Sequence, residues 1–367
     1  MFLPKIRDYL LITRYNNKVN IGSSVDRAVE IIDPSGAIFK IISEMNGTNT
    51  RQEILEKVRV NYKDVTGKDI DMLIDLLEKN KYIIEDHKNY IDYFEDYNKE
   101  RHKRNINFLG NFSAIGSEKY EYIENIQNQR ILLLGLGGVG STILYNLSAL
   151  GVKDILGVDY DIVDKTNLNR QILYRESDVG KLKVLSAKRT VKEFNSDIKF
   201  TTKNQQIKNE KELQELVSEY RPTFIICAAD RPSILLNEWL NNVCLKEGLP
   251  WMYGGNSESV SYYRLVEPGI TSCFKCSEIN FHENKQFEAI EKNEYIRREQ
   301  PSPQNNCIAA SSSILGSMIV FDYIKYTTKM EKTKSNSSMI KFNYSSMNIT
   351  ENTIHKNDAC KCFKYTK

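Results

Sequence analysis

The chain has 367 residues, enough for about two domains, and its 41% apolar and 27% charged content is that of a globular protein. With 51 basic against 48 acidic residues the net charge is +3, which argues against a nucleic-acid binder, since such proteins concentrate basic charge on one face. No apolar run reaches the ~18 residues of a membrane span and the N-terminus lacks an apolar signal core, so no membrane partner and a cytoplasmic location are expected.

The first segment reads as three short strands, "YLLITRY", "KVNIG" and "AVEII", followed by a turn at Asp33-Pro34-Ser35-Gly36. Ile38, Ile41, Ile42 and Met45 then recur at helical spacing, and Thr50 with Glu53 forms a capping-box pattern that opens a second helix through Ile54 and Val58. A third helix carries Ile70, Leu73, Ile74 and Leu77, and "KYIIED" closes as a strand. The pattern predicts a small winged-helix-like α+β domain over residues 1–86. Residues 87–104 are charged and tyrosine-rich without clean periodicity and read as a linker. From 105 to 367 strand-like runs at 130–135, 153–159, 197–202 and 222–228 alternate with helical stretches at 138–150, 179–195, 207–219 and 234–247. That alternation predicts an α/β, Rossmann-like domain with a mainly parallel sheet and helices on both faces.

The stretch "ILLLGLGGVGSTILYNL" carries the chemistry. Gly135, Gly137 and Gly140, with Gly138 between them, fit G-x-G-x-x-G after a strand and before a helix, where free N–H groups and the helix dipole favour a phosphate. Asp159 ends the second strand, where a carboxylate can take a ribose hydroxyl, so NAD and ATP are equally served to this point. The next segment supplies Asp161, Asn167, Arg170, Gln171 and Lys183. An arginine and a lysine just beyond the ribose acid suit a nucleoside triphosphate, whose larger charge needs neutralising as the α-phosphate is attacked. Asp230 ends a further strand in "FIICAAD", at the carboxyl edge of the sheet, where a carboxylate can hold Mg²⁺.

Of seven cysteines, Cys227 and Cys244 sit singly among apolar residues and read as core. Cys273 and Cys276, in C-x₂-C, and Cys360 and Cys362, in C-x-C, offer four thiolates, a number that suits tetrahedral Zn²⁺. Cys307 in "QNNCIAAS" is the alternative nucleophile, but no base lies near it in sequence and the chain has only four histidines.

The glycine loop, "VDYD", "TNLNRQ", "VGKLK", "CAAD" and the cysteine pairs together resemble the ubiquitin-activating-enzyme-like ThiF/MoeB adenylyltransferases, from about Arg101 to the C-terminus. The resemblance implies an ATP-dependent adenylyltransferase acting on the C-terminal carboxylate of a polypeptide. It gives Asp159 the ribose, Asn167, Arg170, Gln171 and Lys183 the phosphates, and Asp230 the magnesium. It implies a structural zinc on the four paired cysteines, although the second pair here is one residue short. It also implies a homodimer in which the arginine of "RHKRN", Arg104, reaches the partner's triphosphate. The N-terminal pattern with "VEIIDPSGAIFKII" resembles PqqD-like domains that bind leader peptides, and "AADRP" resembles the microcin C biosynthetic branch of the family. The implied substrate is therefore a ribosomally made precursor peptide of a peptide antibiotic; that branch also uses a second ATP. Two alternatives stay open: activation of a Gly-Gly-ended sulfur carrier protein, and a non-catalytic scaffold that delivers a leader peptide to a partner enzyme.

Overall fold

The computed structural model describes residues 2–22, 28–84, 96–113, 118–281 and 307–358, with Cys360 and Cys362. Chain contacts divide it into two compact units, Met1–Glu124 and Asn125–Lys367.

In the first unit β1 (Lys5–Ile6) is joined by a three-stranded antiparallel sheet of β2 (Ile12–Tyr15), β3 (Lys18–Ile21) and β4 (Val29–Ile32) in that order. Three helices follow, α1 (Ala37–Glu44), α2 (Arg51–Arg59) and α3 (Gly67–Lys79), and then β5 (Ile83–Ile84), which pairs antiparallel with β1. The apolar spacing read from the sequence is what fills this core: Ile41, Ile42, Ile54, Val58, Ile70, Leu73, Ile74 and Leu77 are buried, against Val19 and Ile21 of the sheet. Thr50 and Glu53 form the expected reciprocal cap of α2, and Thr66 with Asp69 forms a second one at α3. Asp33, within the turn, is buried, and its carboxylate accepts the N–H groups of Gly36 (2.9 Å), Ile38 (3.2 Å) and Phe39 (3.1 Å) at the start of α1. It thereby satisfies donors that the helix cannot.

The stretch expected to be a linker is different. Its residues 87–95 lie outside the described ones, while 96–104 belong to a helix, α4 (Asp96–Gly110), that runs past the expected boundary at 104. One side of α4 buries His102, Ile106 and Leu109, and Arg104 is exposed. Lys81 Nζ donates to Phe112 O (2.8 Å) and the buried Arg7 donates to Ser113 O (3.1 Å), so the segment after α4 is tied to the small domain. The chain continues through α5 (Glu118–Gln127).

The second unit is built on one eight-stranded sheet. Its parallel half comprises β6 (Arg130–Leu134), β7 (Asp154–Asp159), β8 (Lys199–Asn204), β9 (Phe224–Cys227) and β10 (Trp251–Asn256). Between these strands run α6 (Gly138–Leu150), α7 (Lys183–Phe194), α8 (Glu210–Tyr220) and α9 (Ser233–Glu247). Three antiparallel strands extend it: β11 (Val260–Val266), then, after α10 (Phe274–Phe281) and the long α11 (Ala309–Thr328), β12 (Ser338–Asn343) and β13 (Ile349–Thr353). The order is β13-β12-β11-β10-β9-β6-β7-β8. β6 and β9 are almost wholly apolar and buried, as strands covered on both faces must be. From β6 the chain moves outward to β7 and β8, then returns to β9 on the other side of β6. The connections therefore diverge at the carboxyl ends of β6 and β9 and leave a crevice there.

Candidate nucleotide site

A cavity of about 540 Å³ opens at that crevice. Gly135, Gly137, Gly138, Asp159, Asp161, Asn167, Arg170, Gln171, Lys183 and Asp230 all line it. The sequence thus named ten of its wall residues across five separate segments. Gly140 is the exception: it sits behind the wall, where an added Cβ would fall 2.0 Å from Gly135 O, so it serves close packing of the turn. Gly135 holds φ +88° and its Cβ would fall 2.7 Å from Ala229 N, so a side chain is barred twice over. Arg104 lies in the other compact unit, and its relation to the cavity stays an expectation.

Asp159 is 8% exposed. One carboxylate oxygen accepts Leu136 N–H in the glycine loop at 2.7 Å and the other accepts Asp161 N–H at 2.8 Å. Burial pushes its carboxyl above the ordinary value, opposed by the charge of Lys183 and by those two N–H groups. Two lone pairs remain for further donors, which is what vicinal ribose hydroxyls would need. Lys183, the first residue of α7, is nearly buried and donates to Asp161 Oδ2 at 2.8 Å. Arg170 is fixed by Thr166 O (3.2 Å) and Asn169 Oδ1 (2.8 Å). Asn167 Oδ1 accepts Asp164 N–H (3.0 Å), which leaves its NH₂ as the end able to donate to a ligand.

Several wall residues were not singled out from sequence. Gln205, Asn237 and the apolar Ile207 and Leu236 line it, as do Tyr160, Arg231, Tyr253, Asn256, Tyr262 and Ser312. Gln205 Oε1, Asn237 Oδ1 and Gln171 Oε1 are buried with no hydrogen-bond partner. Gln171 as a whole is 4% exposed. Buried amide oxygens without partners are costly, and these three belong to residues of one cavity wall. No sequence motif announces Gln205 or Asn237; each is a lone amide on its own element. Cys307 also lines the cavity.

The four paired cysteines converge elsewhere in this unit. Their sulfurs lie within 4.8 Å of one another, all four residues are buried, and none of the seven cysteines forms a disulfide. Cys273 faces Cys360 at 3.5 Å and Cys276 faces Cys362 at 3.5 Å, with Cys273 and Cys276 3.9 Å apart. A tetrahedron with Zn–S of about 2.3 Å has S···S edges of roughly 3.8 Å, so the cluster fits zinc and the shorter second spacing is no obstacle. Burial, followed by hydrogen bonding to its cysteine neighbours, pushes the Cys362 thiol above the ordinary value, which a bound cation would reverse. The loop before α10 is held by Arg264, which is fully buried and donates to Cys273 O (3.2 Å) and Ser272 O (2.5 Å). Ser272 Oγ donates to Ile354 O (2.7 Å), close before the second pair.

Among the described residues no helix is long and apolar enough to cross a membrane. In fold the chain is similar to E. coli MccB crystallised with ATP, at a TM-score of 0.77 and 21% identity over 98% of this chain and 99% of that one. It is also similar to MccB crystallised with AMPCPP and MccA, at 0.78 and 22% with the same coverage, and to PaaA, at 0.70 and 21% over 96% and 100%. In sequence, SUMO-activating enzyme subunit 2 of Dictyostelium discoideum is 29% identical over 211 residues, 55% of this chain and 30% of that protein. The NEDD8-activating enzyme E1 catalytic subunit of Caenorhabditis elegans is 33% identical over 170 residues, 43% of this chain and 38% of that protein. The chain thus spans well under half the length of either curated relative. The ThiF family model matches residues 102–362, more than half of the chain and all of the site just described, and the chain belongs to the ThiF family.

Proposed function

We propose that the protein is an ATP-dependent adenylyltransferase that activates the C-terminal carboxylate of a ribosomally made precursor peptide. The observation that carries the nucleotide half is the cavity wall itself: a glycine loop, a buried acid with lone pairs to spare and two placed cations. Ile207 and Leu236 offer apolar contact to a purine, and Gln205 and Asn237 offer amide edges to its polar atoms. Asp159 would take the ribose, and Asn167, Arg170, Gln171 and Lys183 the phosphates. Asp230 would hold Mg²⁺, which when bound neutralises triphosphate charge.

A carboxylate is already a competent nucleophile, so the protein has little base catalysis to perform. Its oxygen bonds to the α-phosphorus as the bond from that phosphorus to the α–β bridging oxygen breaks, giving an acyl-adenylate and pyrophosphate. What the chain supplies is alignment and cationic cover for the leaving group from Arg170 and Lys183. The intact set argues against a non-catalytic scaffold.

The peptide half rests on the whole-length likeness to MccB, crystallised with MccA, and on the N-terminal sheet domain, read as PqqD-like. Such a domain can add an extended peptide to a sheet edge by main-chain hydrogen bonds. The four cysteines would hold a structural zinc, and a homodimer in which Arg104 completes the partner's site belongs to the same reading. The test is incubation with ATP, Mg²⁺ and synthetic peptides ending in a free carboxylate, followed by pyrophosphate and mass measurement. Turnover only with a Gly-Gly-ended carrier protein would favour the sulfur-carrier alternative.

A further inference from the structure

The glycine loop is held by a residue outside it. Tyr174, 4% exposed, lies in the segment between β7 and α7 and donates its hydroxyl to Leu136 O at 2.8 Å. Ser141 Oγ, on the first turn of α6, reaches the same carbonyl at 3.3 Å. The Leu136 N–H goes to Asp159 at 2.7 Å, so both polar groups of this residue are engaged. A trans peptide is planar, with C=O and the next N–H pointing in opposite directions. Turning the Leu136 carbonyl toward Tyr174 therefore aims the Gly137 N–H the other way, and Gly137 lines the nucleotide cavity. No protein acceptor takes that N–H among the described residues.

Tyr174 is itself fastened to the cationic segment. Its N–H donates to Gln171 O (3.2 Å), and Thr190 of α7 donates to the carbonyl of Leu173 (2.8 Å). The segment carrying Asn167, Arg170 and Gln171 and the loop carrying Gly135 to Gly138 thus meet at one phenol. We propose that Tyr174 is a positioning residue of the phosphate subsite: its hydroxyl orients the Gly137 N–H toward a nucleotide phosphate and keeps the glycine loop in register with the Asn167–Gln171 segment. The proposal rests on the ATP reading of the cavity. It assigns Tyr174 no contact with the nucleotide.

The consequence is selective. Phosphate binding depends on the Gly137 peptide, whereas the base and ribose contacts do not. Tyr174→Phe keeps the ring in its packing and removes one neutral hydrogen bond, which corresponds to about a five- to tenfold effect. The measurement is calorimetric binding of AMPCPP with Mg²⁺, and of adenosine, to the full chain. Tyr174→Phe is expected to weaken AMPCPP five- to tenfold and leave adenosine within about twofold. Thr190→Val serves as control: it loosens the same segment without touching Leu136, and is expected to lower the melting temperature with no change in the AMPCPP/adenosine ratio. Ser141→Ala removes the second, longer hydrogen bond to the carbonyl and is expected to move that ratio the same way by about twofold. It keeps the test alive should Tyr174→Phe not fold. Equal weakening of both ligands, or of neither, in folded Tyr174→Phe or an unmoved ratio in Ser141→Ala would overturn the positioning role. Failure of wild-type protein to bind AMPCPP would instead overturn the ATP reading beneath it.

Discussion

Lys183 enters the cavity as a nearly buried ammonium paired with Asp161, whose side chain is 49% exposed. The pair suits a switch of partners, since a triphosphate brings more negative charge to Lys183 than Asp161 does while Asp161 can return to water. Lys183→Ala is therefore expected to lower peptide-dependent pyrophosphate release by about 10²-fold or more with little change in melting temperature. Asp230→Asn should likewise keep the fold and lose turnover; near-wild-type rates in either folded variant would remove that residue from the mechanism. Asp178 is purely structural by contrast. Its side chain is fully buried and accepts two hydrogen bonds at 2.7 Å from Arg189, which hold its carboxyl well below the ordinary value, at about 2. A depressed folded pKa contributes stability that is present above the unfolded value near 3.8 and is lost as pH falls toward 2. With Arg189 40% exposed, solvent screening leaves roughly 1–2 kcal/mol. Denaturant titrations should find Asp178→Asn destabilised by that amount at pH 7, with the gap to wild type closing below pH 4. A gap independent of pH would contradict the assignment.

At the level of elements, what was legible followed from periodicity and from motifs closed on themselves. α6 begins and ends where the glycine loop and the next glycine put it, and the α2 cap was readable because Thr50 and Glu53 are neighbours in sequence. β11 to β13 were missed because their partners are other strands and not a following helix, and β13 is exposed throughout. β10 carries Gly254 and Gly255, which blur an alternating pattern. α4 hid for a different reason: the large side chains seen buried on it, His102, Ile106 and Leu109, are scattered among charges and tyrosines. The site divides the same way. Its glycines, acids and cations sit in local motifs, while Tyr174, Gln205 and Asn237 acquire meaning only when the sheet brings their elements together. The cysteine pairs lie 84 positions apart between Cys276 and Cys360, too far for a geometry to be read from spacing, yet they close into one cluster. Elemental analysis is expected to find one zinc per chain, and chelation or Cys360→Ser to lower the melting temperature, because a structural site contributes its binding energy to folding. Metal-free protein of unchanged stability would sink the assignment.

At the scale of the molecule, the site described so far lies within one compact unit, whereas Arg104 is exposed on α4 of the other. If a partner chain supplies Arg104, inactive Arg104→Ala and inactive Asp230→Asn chains should regain activity when mixed, since hybrid dimers hold one site with neither substitution. No recovery despite demonstrated subunit exchange would argue that each site is built from a single chain. The account as a whole stands on one reaction. Purified protein, ATP, Mg²⁺ and a short peptide with a free C-terminus should release pyrophosphate and yield a peptide heavier by one adenylyl group, and the same peptide with a C-terminal amide should yield neither. Pyrophosphate release that is indifferent to the terminal carboxylate, or none with any peptide or carrier protein, would contradict it.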